Sequence, residues 1–371
     1  MRVTTIADIR RFSVSRLVEP TTLPAALGRL GFVQADPIRA PARAQDLTLR
    51  HRVTGYRAGD LERLYGTLDV EEDFFINYGF VSRTVHQLMH PRDGAGLLPS
   101  KANKRARALL EFVRERGEAH PRDVDAHFAH GTVTNYWGGS SSATTHMLEH
   151  LHYKGLLRVV RRDTGVRIYA LQHHGPAPAG AAARRARIDA LVDVVVGKYA
   201  PLPASSLSMV VRRLRYAVPQ WSHEISTALA RAKARLARAV VDGETWYWPA
   251  GESATNRDIS DDVRLLAPFD PIVWDRRRFE LLWNWPYRFE AYTPAPKRKW
   301  GYYALPMLWR DRVIGWTNVA LRDGELDVDA GYVSGRRPRD PAFRRALDAE
   351  LARLRSFLTE PPSSPPRAGR W

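Results

Sequence analysis

In the stretch GFVQADPIRAP (residues 31–41), Gln34 and Asp36 stand two positions apart, where an apolar run turns polar and meets Pro37. Side chains alternate along an extended strand, so Phe32, Gln34 and Asp36 share one face while Val33 and Ala35 share the other. The residue before a proline is held extended, which puts Asp36 at the strand's exit. An amide and a carboxylate so placed can hold and polarise one water. The same spacing also has a structural reading. Asp36 would be a helix N-cap, Pro37 the first helical residue, and Gln34 an ordinary exposed polar group. The two roles do not exclude each other.

Other groups with chemical potential are sparser. APKRKWGYY (295–303) sets Lys297, Arg298 and Lys299 beside Trp300, Tyr302 and Tyr303. That mixture suits neutralising a phosphate backbone while an aromatic stacks or wedges at a base step. It suits equally a charged hairpin tip beside core aromatics. In HMLEHLH, His146 and His150 lie i, i+4 with Glu149 before the second, but no third ligand follows, so no metal is expected. The hydroxyls of SSSATT (140–145) could touch phosphates or cap a helix. Neither GxGxxG nor GxxxxGK[ST] occurs, and no cofactor is implied. The absence of cysteine excludes disulfides, zinc thiolates and a thiol nucleophile.

The bulk composition narrows the partner. Lys and Arg number 57 against 40 Asp and Glu, a net charge of +17 in 371 residues. Such a field favours polyanions, nucleic acid before membrane. An Arg-rich proteome would give the same surface with no such meaning. No apolar run reaches a transmembrane length and the N-terminus has no signal-peptide core, so a cytoplasmic protein is expected.

The elements that must carry these groups are readable in outline. Residues 4–31 read as two short helices, the second closed by Gly31. FVQAD reads as a strand, and 40–53 and 58–66 as helices. RARALLEFVRERG, HPRDVDAHF and SSATTHMLEHLHYKG form three helices, followed by a hairpin turning at Asp163-Thr164-Gly165. Three helices and a two-stranded hairpin make a winged helix, a form used for DNA and for plain packing alike. A second such order follows: helices in RRARIDALVDVVVGKY, SSLSMVVRRL and SHEISTALARAKARLARAVVDG, then a strand in ETWYWPA. From about residue 262 aromatic, β-favouring runs dominate, until RDPAFRRALDAELARLRSFL closes as a helix. The Pro- and Ser-rich end, 360–371, reads as a disordered tail.

Several of these stretches together resemble the winged-helix DNA glycosylases of the YcaQ and AlkZ type, which unhook interstrand crosslinks. The resembling segments are LGFVQADPIRAPARAQDL, YKGLLRVVRRDTGVRIYAL and, most specifically, LLAPFDPIVWDRRRFELLWNWPYRFEAYTPAPKRKWGYYALPMLWRDRVIG. The family signature is Gln, an apolar residue, then Gln or Asp; Gln34-Ala35-Asp36 matches its Gln-x-Asp branch, continued by Ile38 and Arg43. The chain departs from the family where a Trp/His stretch of the type EYWGH-x-S is usual and EEDFFINYGFVSRTVHQLMHP stands instead. Asn77, Tyr78 and His86 are the candidates for that wall of the site.

The resemblance implies an α+β fold of tandem winged-helix (helix-turn-helix) units forming a C-shaped cleft, with a β-rich C-terminal region and closing helix. The segments expected are a first winged-helix-like unit over 1–100, a second winged helix over 101–178, a third over 179–261, β-rich structure over 262–359 and the tail over 360–371. It implies a DNA glycosylase with Gln34 and Asp36 catalytic and Arg39, Arg43, Lys297, Arg298 and Lys299 on DNA. The expected substrate is double-stranded DNA bearing N7-alkylguanine-type purines or crosslinks. Asp36 activates the water, and the enzyme works without lyase activity, as a monomer at the nucleoid. The alternative is a non-catalytic winged-helix DNA-binding protein, a regulator or lesion sensor. An RNA-binding module is disfavoured, since RRM, KH and OB signatures are absent.

Overall fold

The computed structural model describes residues 4–17, 20–92, 100–128, 131–134, 140–255 and 258–360; the end of the chain read as a tail lies outside these from residue 361 on. Two units make up the chain. One comprises Met1–Leu61, Val192–Val211 and Leu229–Trp371, the other Glu62–Leu191 and Arg212–Ala228. Each takes parts from more than one of the segments drawn from the sequence.

In the first unit, helix Leu23–Leu30 starts where the Thr22 hydroxyl accepts from the Ala25 N–H, and its buried Leu23, Ala26, Leu27 and Leu30 form one stripe. It stops at Gly31, whose φ of 63° suits glycine and turns the chain directly into strand Phe32–Gln34. Phe32 and Val33 are both buried, so this strand has no apolar face to solvent.

No helix begins at Asp36. The next helix is Ala44–Leu49, shorter than the expected 40–53, and residues 35–43 are irregular. Pro37 and Pro41 lack an N–H and push the residue before each out of the helical region. Asp36 Oδ1 instead accepts the Ile38 N–H at 2.9 Å, a local turn in place of a helix cap.

Residues 180–248 run helix (Gly180–Tyr199), helix (Ala204–Arg213), helix (Ile225–Arg235) and hairpin (Ala237–Val241 with Glu244–Trp248). The third helix was expected to continue to the turn, but it ends at Arg235 and Ala237–Val241 pairs as a strand. The β-branched pair Val240-Val241 favours that outcome. Leu202–Pro203 adds a third strand on the other side of Glu244–Trp248.

The C-terminal region holds a four-stranded antiparallel sheet in chain order, Val263–Leu265, Leu305–Trp309, Arg312–Arg322 and Glu325–Tyr332. Helix Pro341–Thr359 buries Phe343, Leu347, Leu354 and Phe357. The aromatic run 284–304, expected to be β, contains no strand. Its rings pack on each other instead, Trp285 lying 5.2 Å from both Tyr287 and Trp300.

In the second unit, helices Ser100–Arg116, Pro121–Phe128 and Ala143–Tyr153 precede hairpin Leu157–Asp163/Val166–Leu171, around a core that includes Leu109, Val113, Val124, Leu148, Leu151 and Val159. The wing turn is two residues, Thr164 and Gly165, both at positive φ, so Asp163 belongs to the strand. A further hairpin, Val70–Phe74/Tyr78–Ser82, leads into helix Arg83–Met89. No helix among the described residues is long and apolar enough to cross a membrane.

Candidate active site

Gln34 and Asp36 lie at and just beyond the end of strand Phe32–Gln34 in the first unit. Gln34 Oε1 accepts the indole N–H of Trp274 at 3.1 Å. Indole nitrogen can only donate, so this bond fixes which end of the amide is the oxygen and which, Nε2, is the donor. Asp36 is 9% exposed. Its backbone N–H meets Gln45 Oε1 at 3.3 Å and its Oδ1 is held by Ile38, whereas Oδ2 accepts no hydrogen bond among the described residues. Burial raises the Asp36 pKa above the ordinary carboxylate value, opposed by the Ile38 N–H. No second carboxylate contributes to that shift, so this is a lone acid whose charge is kept at some cost.

The support behind the pair comes from distant chain. Arg52 and Asp270 are fully buried and joined by two hydrogen bonds of 2.7 and 2.9 Å. Asp270 Oδ1 also accepts the Ile272 N–H, and its carbonyl accepts from Val273 and Trp274, which folds the turn that presents the indole. Asp275 then caps helix Arg276–Trp283 through the Arg278 N–H at 3.2 Å. Behind the strand, Lys198 is 1% exposed and donates to the Phe32 carbonyl. Burial, with the nearby Arg52 charge, pulls its pKa down to about 7 against the opposing pull of Asp270. Tyr199 packs its ring 5.0 Å from that of Trp274. The pair therefore rests on a buried polar network built from residues 32–52, 198–199 and 270–275.

A model of the AlkZ-like family, described as DNA glycosylase AlkZ-like, matches residues 27–357. The chain belongs to that family. It is thus a DNA glycosylase, and DNA is its partner. The fold agrees: the chain superposes on the Streptomyces sahachiroi DNA glycosylase AlkZ with a TM-score of 0.63 at 15% identity, over 97% of this chain and 99% of that one. The match establishes the mixed α/β winged-helix fold of that enzyme for this glycosylase.

The remaining candidates of the glycosylase fall into three groups. Arg39 is exposed, and Arg43 is half-buried at the start of helix Ala44–Leu49. Lys297 and Lys299 are exposed, but not on a hairpin tip: Lys297 ends a single 3₁₀ turn, Ala295–Lys297, inside the irregular run, and Lys299 follows it. That run is clamped by buried Glu290, whose Oε2 accepts the N–H groups of Lys299 and Trp300 at 2.8 and 2.7 Å. Arg298 donates to the Thr293 carbonyl at 2.8 Å and covers the Tyr302 ring at 5.0 Å.

Asn77, Tyr78 and His86 belong to the second unit. Asn77 Oδ1 accepts from Arg213 at 3.1 Å, Tyr78 donates to Glu72 Oε2 at 2.7 Å, and His86 is buried beside Asp73. Ser142, one of the hydroxyls of SSSATT, caps helix Ala143–Tyr153 and donates to Asp125 at 2.8 Å.

Sequence reasoning missed Trp274, Gln45 and Lys198, and it also missed two tyrosines. Tyr303, though named among the aromatics, is 3% exposed with a hydroxyl that has no hydrogen-bond partner among the described residues. Burial raises its pKa, and the Asp36 carboxylate is the next cause. Tyr292, 70% exposed, also feels the Asp36 charge after desolvation. The only advance signal for Trp274 was its place in the long family-like segment LLAPFDPIVWDRRR.

Proposed function

We propose that this glycosylase hydrolyses the N-glycosidic bond of purines alkylated at N7 or N3, interstrand crosslinks among them, in duplex DNA. The observation that carries the reading is the lone buried carboxylate of Asp36. One of its oxygens is held by backbone and the other is not, and beside it stands a glutamine amide whose orientation is set by an indole. An alkylated purine is already cationic. It leaves with the glycosidic electron pair as a neutral base, so no general acid is needed, unlike two-carboxylate glycoside hydrolysis. The sugar becomes oxocarbenium-like and Asp36 stabilises it. A water positioned by Gln34 then bonds to C1′ while Asp36 takes its proton.

Lys198, the only lysine among the described residues that hydrogen-bonds this strand's backbone, is buried and engaged with the Phe32 carbonyl, which supports excision without an amine nucleophile and so without strand cleavage. Exposed Arg39, Lys297 and Lys299 are suited to phosphates, with Arg43 and Arg298 near them in sequence. Asn77, Tyr78 and His86 are engaged within the second unit, and no catalytic role is proposed for them. One lesion needs one active site, and we read the enzyme as acting as a monomer on nucleoid DNA.

The test is release of free base from duplex DNA carrying N7-methylguanine, and from a nitrogen-mustard crosslink, by wild type and Asp36→Asn. Wild type should release base and D36N should be slower by about 10²–10⁴-fold. Equal rates remove Asp36 from the chemistry. No release by either protein from either substrate removes the cationic purines as the substrate class.

A further inference from the structure

The second unit contains a buried cluster that the proposed base excision does not use. Asp73 comes from strand Val70–Phe74, His86 from helix Arg83–Met89, and His90 follows that helix at i, i+4 from His86. All three are buried. Both imidazole Nε2 atoms face the same carboxylate oxygen: His90 Nε2 lies 2.6 Å and His86 Nε2 3.6 Å from Asp73 Oδ2. One donor atom from each residue falls within 4.8 Å of the others. The opposite oxygen, Oδ1, is occupied by Arg92 Nη1 at 2.9 Å and by the Phe74 N–H at 2.6 Å, which fixes the carboxylate with Oδ2 turned to the imidazoles. Second contacts of this kind orient ligands in metal sites.

We propose that Asp73 Oδ2, His86 Nε2 and His90 Nε2 bind one zinc-class divalent ion. Two imidazoles and one carboxylate suit Zn²⁺ and its Co²⁺ substitute, whereas Mg²⁺ and Ca²⁺ prefer all-oxygen shells. A cavity of about 420 Å³ reaches His86 and His90 and is also lined by His174, which leaves room for water as a further ligand. The His174 ring stacks on that of His90 at 4.4 Å and an interplanar angle of 2°. On the remaining side Gly155 makes room: a Cβ there would stand 2.4 Å from His90 Nδ1. When the ion binds, it replaces the hydrogen between His90 Nε2 and Asp73. The imidazole takes its Nδ1–H tautomer, so no net proton need be released. The ion would tie strand Val70–Phe74 to helix Arg83–Met89, and the sequence expectation of no metal would be overturned.

The full-length protein, stripped with chelator, is loaded with Zn²⁺ or Co²⁺, desalted and assayed for bound metal and for visible absorption. Wild type should retain one equivalent and show the intense bands of four- or five-coordinate Co²⁺. His86→Gln should weaken binding by at least about tenfold. His146→Gln with His150→Gln, an i, i+4 pair on helix Ala143–Tyr153 with His146 exposed and His150 half-buried, should bind like wild type. No retained metal, or equal retention by H86Q, overturns the site and leaves Asp73 as a hydrogen-bonded ion pair with Arg92. If H86Q melts early, the wild-type Co²⁺ spectrum decides, and a weak octahedral spectrum overturns the proposal.

Discussion

The Trp274 indole donates to Gln34 Oε1 at 3.1 Å, joining residues 240 positions apart in the chain. This bond sets the amide's orientation, and on the proposed mechanism Trp274 acts through Gln34 as a positioning residue. Trp274→Phe keeps a ring against Tyr199 and removes the donor. Base excision should slow by up to about tenfold, the worth of one hydrogen bond. The fall should appear in kcat with KM little changed. A wild-type rate would show that Gln34 needs no such anchor.

Asp270→Ala should destabilise the fold by about 3–5 kcal/mol, because it strands the fully buried Arg52 guanidinium. Urea unfolding measures this. Arg52→Met combined with Asp270→Asn should recover much of the loss, since the cost lies in the unpaired charge. Equal destabilisation in the double variant would contradict that account.

Lys198 gives a pH signature with a definite sign. Its folded pKa is about 7, against about 10.4 in an unfolded chain. Between those values the unfolded chain holds a proton that the folded one has lost, so stability rises with pH across that window, by roughly 1.4 kcal/mol per pH unit at most. Below pH 7 both states are protonated and this dependence disappears. The stability difference between wild type and Lys198→Met should therefore grow in favour of wild type from pH 7 to 10. A flat difference would mean Lys198 is not buried as described.

Lys297 and Lys299 are exposed on the clamped loop. If they neutralise phosphates, Lys297→Ala with Lys299→Ala should make the log–log dependence of duplex affinity on salt shallower by about 1–2, equally for all sequences. An unchanged slope would place the DNA backbone elsewhere.

What the sequence disclosed depended on how local the cause was. Thr22, Pro24 and Gly31 bracket helix Leu23–Leu30 within a few residues, and the Thr164-Gly165 turn fixes its own hairpin. Pro37 was misleading. It looked like a helix start, but Asp36 spends an oxygen on Ile38 and the helix waits until Ala44. The strand at Ala237–Val241 was hidden inside a helical composition because only pairing with Glu244–Trp248 decides it. At the candidate site the Gln34-Ala35-Asp36 signature was legible as a pattern. Trp274, Lys198 and the Arg52–Asp270 link were not, since nothing in a single strand's spacing reveals a partner more than 150 residues away.

The buried Arg52–Asp270 link limits how this candidate site could move between proteins. Three residues, Gln34 to Asp36, carry the signature, yet their geometry is inherited from a turn at 270–274 that itself needs Arg52. Grafting GFVQADP onto another winged helix would transplant letters without their frame. Cutting the chain before residue 262 would likewise leave the signature intact and its amide unaligned. The signature is short on paper, but its evolvable unit spans nearly the whole chain.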